Sequence, residues 1–483
     1  MSARRPARRN ATGRAKAVRW AGRISAPQAG HSSVPASPIY RLARIAVGTK
    51  SAVSRLAFQH LKLSCRGDMN SNVNVPFSNL RAVVILIVVA FHSALPYLAS
   101  QPAQPFAFDA APYRWIAFPI IDQQRWFGFD LFCAWQDISL MPLMFFLAGL
   151  FAPASLGRKG AIRYLADRWW RIGLPFVLAV AILSPVAYYA SYRLTAVDPS
   201  LSAFWQHWRE LPMWPSGPQW FLWQVFVLGA LASALYGFAP HWGEALSRWA
   251  GRLSERPLLF FAWLVGMSAL AYIPLAMIFT PWAWSNVGPI SFQYSRPLHY
   301  LVYFFAGFAI GAYGCDRSLL RVDGPVARYW LAWLAGAVIC MGAWGGLTSL
   351  TLPDWNASPL VDRLAAAAAF PFASAAGVMA YLGMGLRLLR ARDRLLDSLS
   401  ANAYGIYLVH YVFVLWVGYA LVGEPLNAVF KMIIVSSAAL LLSWTTVAGA
   451  RAIIGMPFRR AGKARARRYS AIPRDRAVAD QIR

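Results

Sequence analysis

In the stretch NLRAVVILIVVAFHSALPYL, Arg81 and His92 are separated by ten residues, all apolar. If the stretch is helical, eleven steps of about 100° return His92 to within roughly 20° of Arg81, and the rise sets it ~16 Å deeper. An imidazole titrates near neutrality and can take a proton from a hydroxyl. A guanidinium at the mouth of the same helix suits an arriving anionic group. A plainer arrangement fits the spacing equally: Arg81 snorkels to the interface and His92 hydrogen-bonds a neighbouring helix.

A second basic group lies in FFLAGLFAPASLGRKGAIRYLADRWWRIGLPF, where Arg168 and Arg171 are three residues apart and Arg163 precedes them. The spacing predicts that the pair shares one side of a helix. Guanidinium forks bind phosphate bidentately, so the three are candidates for holding a phosphorylated donor. The alternative is that they are ordinary arginines of a loop that stays on the cytosolic side.

These residues must be carried by elements that sit in a bilayer. The chain is 58% hydrophobic and 14% charged, against roughly 45–50% and about 25% in a soluble domain. Apolar segments fall near 80–99, 134–153, 173–191, 218–238, 257–279, 298–314, 329–349, 365–386, 402–421 and 428–450. Each suffices for a crossing of roughly 17–25 residues, so the expected fold is all-α and polytopic, with about ten transmembrane helices over 79–450. The second and sixth segments have the most blurred edges, so nine or eleven crossings also fit.

The net charge of +28 is concentrated in loops and tails, which points to a membrane surface and not to nucleic acid. Alternate connections are rich in arginine, as at Arg158 to Arg171, Arg248 to Arg256, Arg317 to Arg328 and Arg387 to Arg394. This asymmetry predicts a multi-pass inner-membrane protein with both termini in the cytosol. Residues 1–68 are basic, lack an apolar core and are expected to be disordered; Met69 is an alternative start. Residues 451–483 read as a basic cytosolic tail.

Cys65, Cys133, Cys315 and Cys340 have no ligand spacing, so no metal site or disulfide framework is expected. No phosphate-binding glycine loop appears.

Taken in order, Arg81-x10-His92, FFLAG at Phe145 to Gly149, Arg168-x-x-Arg171 before Ile172 and Pro175, and SANAYGIYLVH ending at His410 resemble the membrane acyltransferase-3 family. The wording MPLMFFLAG is most similar to its glucan biosynthesis protein C branch. The resemblance covers about Asn79 to Gly449. It implies transfer of an acetyl or succinyl group from cytosolic acyl-CoA, a donor substrate and not a bound cofactor, to a hydroxyl of an extracytoplasmic carbohydrate. It maps the catalytic histidine onto His92, its partner arginine onto Arg81, and the arginine pair onto Arg168 and Arg171. FFLAG carries Ala148 where many members carry Ser, and no proton transfer is assigned to that position.

Weaker polar candidates are His410 beside Tyr404 and Tyr407, which also suits a core histidine bonded to an adjacent helix, and His299 after Arg296 near the outer end of the sixth segment, which suits the lining of an acceptor cleft or a structural interfacial role. Trp214, Trp220 and Trp223 fit an aromatic belt or a sugar platform. Two other classes compete: a transporter of an anionic solute, which matching broken helices would support, and a membrane scaffold. None of these motifs selects the acyl group, the acceptor or an oligomeric state.

Overall fold

The computed structural model describes the backbone of residues 74–470, apart from 103, 110 and 240, with side chains through Ile453. The basic segment 1–68, the alternative start at Met69 and the end of the 451–483 tail lie outside the described residues. We number the principal helices α1 (Asn74–Ala94), α2 (Phe127–Leu150), α3 (Ala161–Thr195), α4 (Trp220–Phe238) and α5 (Pro257–Phe279). There follow α6 (Pro297–Tyr313), α7 (Trp330–Ser349), α8 (Leu360–Leu388), α9 (Arg394–Ala420) and α10 (Ala428–Ser470). The chain is an all-α polytopic membrane protein: among the described residues nine helices are long and apolar enough to cross a bilayer, and α6 is a shorter apolar helix. Helices are what such sequences must form, because lipid offers no partner for a free backbone N–H or carbonyl. A hairpin that the apolar pattern does not announce, β1 (Trp284–Val287) with β2 (Ile290–Gln293), precedes α6.

The arginine-rich connections gather at one end of the bundle. Arg321 bonds Glu255 across two of them, and Arg390 Nη1 reaches Asp323 Oδ1 at 2.9 Å across the next pair. Asn79, fully buried near the start of α1, donates through Nδ2 to Leu389 O and Ala391 O at 3.0 and 2.8 Å. The opposite end has its own ties. Lys431 Nζ meets Asp122 Oδ2 at 2.7 Å with both side chains buried, which fastens α10 to the α1–α2 connection.

The expected loop carrying Arg158 to Arg171 is helical instead. Helices Ala152–Lys159 and Ala161–Arg168 are separated only by Gly160, whose φ of +74° suits glycine. Within α3 the turns Trp169–Gly173 and Ala179–Leu183 are π-helical. Pro175 and Pro185 follow them closely, and each proline ring would strike the carbonyl four residues back in a regular α-helix. The wider turn moves that carbonyl aside.

The FFLAG segment serves packing. A Cβ on Gly149 would lie 1.9 Å from Phe304 O, and on Gly307 and Gly311 2.0 Å from Phe146 O and Leu150 O. Helices α2 and α6 therefore touch backbone to backbone, as glycine-rich membrane helices do. The stacked rings of Phe145 and Tyr300, 4.5 Å apart, extend the same contact.

Candidate functional site

His92 and His410 meet. On α1, His92 Nδ1 lies 2.8 Å from Val88 O, one turn back on the helix. On α9, His410 Nδ1 lies 2.7 Å from Tyr407 O. A carbonyl only accepts, so in the neutral form each ring carries its proton on Nδ1 and its lone pair on Nε2. His410 Nε2 is 3.2 Å from His92 Nδ1, close enough to share the proton that His92 also offers to Val88. His92 Nε2 makes no hydrogen bond among the described residues, and the ring is half-buried. That nitrogen is the free basic atom of the pair.

The surroundings hold both rings. Phe91 and Tyr411 stand edge-on to His92, with centroids 5.0 and 5.4 Å away. His410 is fully buried. The segment Gly217–Gln219 is clamped onto α9 around it: Gln219 Nε2 donates to Leu408 O at 3.0 Å, and the Tyr407 hydroxyl donates to Pro218 O. Gly217 has φ +52°, and a Cβ there would come within 3.3 Å of both the Tyr411 ring and the Tyr188 hydroxyl, so a side chain would be strained by the backbone and crowded by its neighbours. His410, expected to bond an adjacent helix, does so, and its partner is His92.

Arg81 sits at the arginine-rich end of α1, exposed, with no ion pair or hydrogen bond among the described residues. The helix is continuous, so the rotational match with His92 holds. Between them, Val84, Ile85 and Val88 on the same side are buried. The two ends of this face are accessible and its middle is packed.

The structure separates Arg168 from Arg171. Arg171 Nε pairs with Asp167 Oδ1 at 2.9 Å with 73% of its side chain exposed, and Lys159 Nζ takes the other carboxylate oxygen at 2.7 Å. Arg168 is half-buried, its guanidinium 4.8 Å from the Tyr164 ring centroid, and its Nε is buried without a hydrogen-bond partner. The expected shared side is lost because the π-turn begins right after Arg168 and adds to the residues per turn. Arg163 is exposed.

His299 does not line a cleft. It is fully buried, with Nδ1 3.0 Å from Ser268 Oγ and Nε2 3.2 Å from Ser374 Oγ, and so links α5, α6 and α8. Trp214 is exposed, Trp220 stacks on Tyr300, and Trp223 Nε1 donates to Ser291 O of the hairpin at 3.1 Å. Among the described residues no cluster of His, Cys, Asp or Glu is arranged for a metal ion.

A carboxylate within a membrane helix escaped the sequence reading. Asp137 lies within α2 and pairs through Oδ2 with Arg296 Nη2 at 2.8 Å. The signal was present, since a lone carboxylate in the apolar run CAWQDISLMPL is as costly as the imidazole of His92.

No curated protein and no solved structure matches the chain. A family model described as an acyltransferase domain, Acyl_transf_3, matches residues 77–448, which takes in both histidines and every arginine discussed above. The paired imidazoles therefore lie inside the matched region of a membrane acyltransferase, and the chain belongs to the acyltransferase-3 family.

Proposed function

We propose that the protein transfers an acyl group, acetyl or succinyl, from acyl-CoA on the arginine-rich side to a hydroxyl of a carbohydrate on the opposite side. The arginine-rich end and both termini face the cytosol in this reading, as the charge asymmetry favours. The observation that carries it is the orientation of His92: Nδ1–H is tied back to Val88 O, which leaves the Nε2 lone pair free to act as a base.

The steps follow from that atom. Nε2 takes the proton of the acceptor hydroxyl as its oxygen attacks the thioester carbonyl. The C–S bond breaks, and the leaving thiolate takes the proton back from Nε2. The products are the acylated carbohydrate and CoA with a free thiol. While His92 is an imidazolium, Val88 O and the lone pair on His410 Nε2 both accept from its Nδ1–H, so positive charge arises next to groups already turned toward it. Arg81 and Arg168 are suited to the phosphates of the donor, because each presents a guanidinium that is not committed to a carboxylate among the described residues.

Mass spectrometry of envelope glycans and lipids from cells with and without the gene tests this function. An acyl increment on a carbohydrate should disappear with the gene. Identical spectra would overturn the reading.

The unequal settings of the two arginines give a further expectation. Arg168→Ala should raise the KM for acyl-CoA by roughly 10–100-fold with a smaller change in kcat, as loss of a charge-assisted hydrogen bond of about 1.5–3 kcal/mol implies. Arg171→Ala should change it little, since its exposed pair with Asp167 resembles surface pairs that contribute about 0–1 kcal/mol. Arg168→Lys should not restore the donor KM, because an ammonium lacks the planar fork. Initial rates in membranes across acyl-CoA concentrations measure all three. Equal increases for Arg168→Ala and Arg171→Ala would show that the two act as one clamp.

A further inference from the structure

Helix α2 touches α1, α4, α6 and α8 and is largely buried. Yet Asp130, Ala134, Asp137, Met141, Met144 and Ala148 are each only partly buried. Their alternating spacing of four and three residues puts them on one face that runs nearly the length of the helix, within a sector of roughly 80°. Cys133 flanks the sector on one side, its Sγ 3.9 Å from Phe91 O on α1, next to His92. Phe145 flanks it on the other, its ring packed on Phe221 of α4 at 4.8 Å. The accessible face thus lies between the contacts that α2 makes with α1 and with α4.

Asp137 stands in the middle of this face. Its side chain is 44% exposed, whereas that of its partner Arg296 is 5% exposed. The guanidinium is held in turn over the Phe370 ring at 4.6 Å. Asp137 Oδ1 makes no hydrogen bond among the described residues. A carboxylate this open in a membrane helix needs water or a polar ligand beside it, because exposure to hydrocarbon is prohibitively costly.

We propose that this face of α2 lines a water-filled passage reaching His92 from the end opposite the arginines, and that Asp137, fixed by Arg296, binds a hydroxyl of a carbohydrate acceptor there. A carboxylate oxygen accepts from sugar hydroxyls, and the buried arginine paired with Asp137 holds the carboxylate in place. The nature of the ligand rests on the proposed acyl transfer; the passage itself does not.

Single cysteines introduced into the full chain, with its four native cysteines replaced by Ala, test both parts. A charged methanethiosulfonate reagent modifies thiols that water reaches, because the thiolate is the reacting form. Ala134→Cys and Met141→Cys should be modified. Leu143→Cys, in the packed core, and Ile339→Cys, on the exposed side of α7, should not. The oligosaccharide fraction from envelopes of cells lacking the gene should suppress modification at Ala134→Cys and Met141→Cys. Adding Asp137→Asn should abolish that protection, and adding Asp137→Glu, which keeps a partner for Arg296, should retain part of it.

Failure of both Ala134→Cys and Met141→Cys to react would overturn the passage. Reaction without protection by the oligosaccharides would overturn the subsite. Neither readout depends on turnover, so an acyl increment that still vanishes with the gene would leave the enzymatic reading standing.

Discussion

His92→Gln should insert into the membrane at normal levels and lose acyl transfer by about 10²–10⁴-fold, the usual contribution of a positioned general base. The amide can still donate toward Val88 O, so the structural hydrogen bond of the imidazole is preserved in kind. What it lacks is the basic lone pair at the position of Nε2. The measurement is release of CoA thiol by membranes supplied with acyl-CoA and the envelope oligosaccharides, normalised to the amount of inserted protein. His92→Ala should be equally inactive. If His92→Gln kept near-normal transfer while His92→Ala accumulated poorly, the ring would be structural and the base would lie elsewhere.

His410→Ala should lower kcat by roughly 10–100-fold and leave the KM for acyl-CoA unchanged. The estimate follows from loss of one hydrogen bond to a charged group, about 1.5–3 kcal/mol, felt only while His92 is an imidazolium. His410 is a positioning residue: it acts on the reaction through His92 Nδ1 at 3.2 Å. His410→Gln should recover part of the rate, because an amide oxygen can accept from Nδ1–H where a methyl cannot. Packing alone predicts another pattern, in which both variants lower the amount of inserted protein and leave kcat per molecule intact. That pattern would remove His410 from the mechanism.

The number of helices, their approximate positions and the membrane setting were legible in the sequence, because apolar length is a local property that hydrocarbon selects directly. So was the continuity from Arg81 to His92, which needs only one unbroken helix. Membership of the family was legible from the ordered motifs that resemble it, and the match over 77–448 bears it out. Local pattern failed where a turn changed its width. The three-residue spacing of Arg168 and Arg171 predicts neighbours on one side, but the π-turn before Pro175 sends Arg168 inward beside Tyr164 and leaves Arg171 outward beside Asp167.

By itself the sequence determined which residues are able to donate, accept or carry charge inside the bilayer, and which helices carry them. Only the tertiary structure decided how they combine. It brings His410 to His92 across 318 positions of chain. It sets Arg296 against Asp137 across 159 positions. It also turns the FFLAG glycine into a backbone contact between α2 and α6. The reason is physical: each pairing depends on the rotation and depth at which two helices pack, and apolar segments of this kind specify neither until their small residues and carbonyls meet.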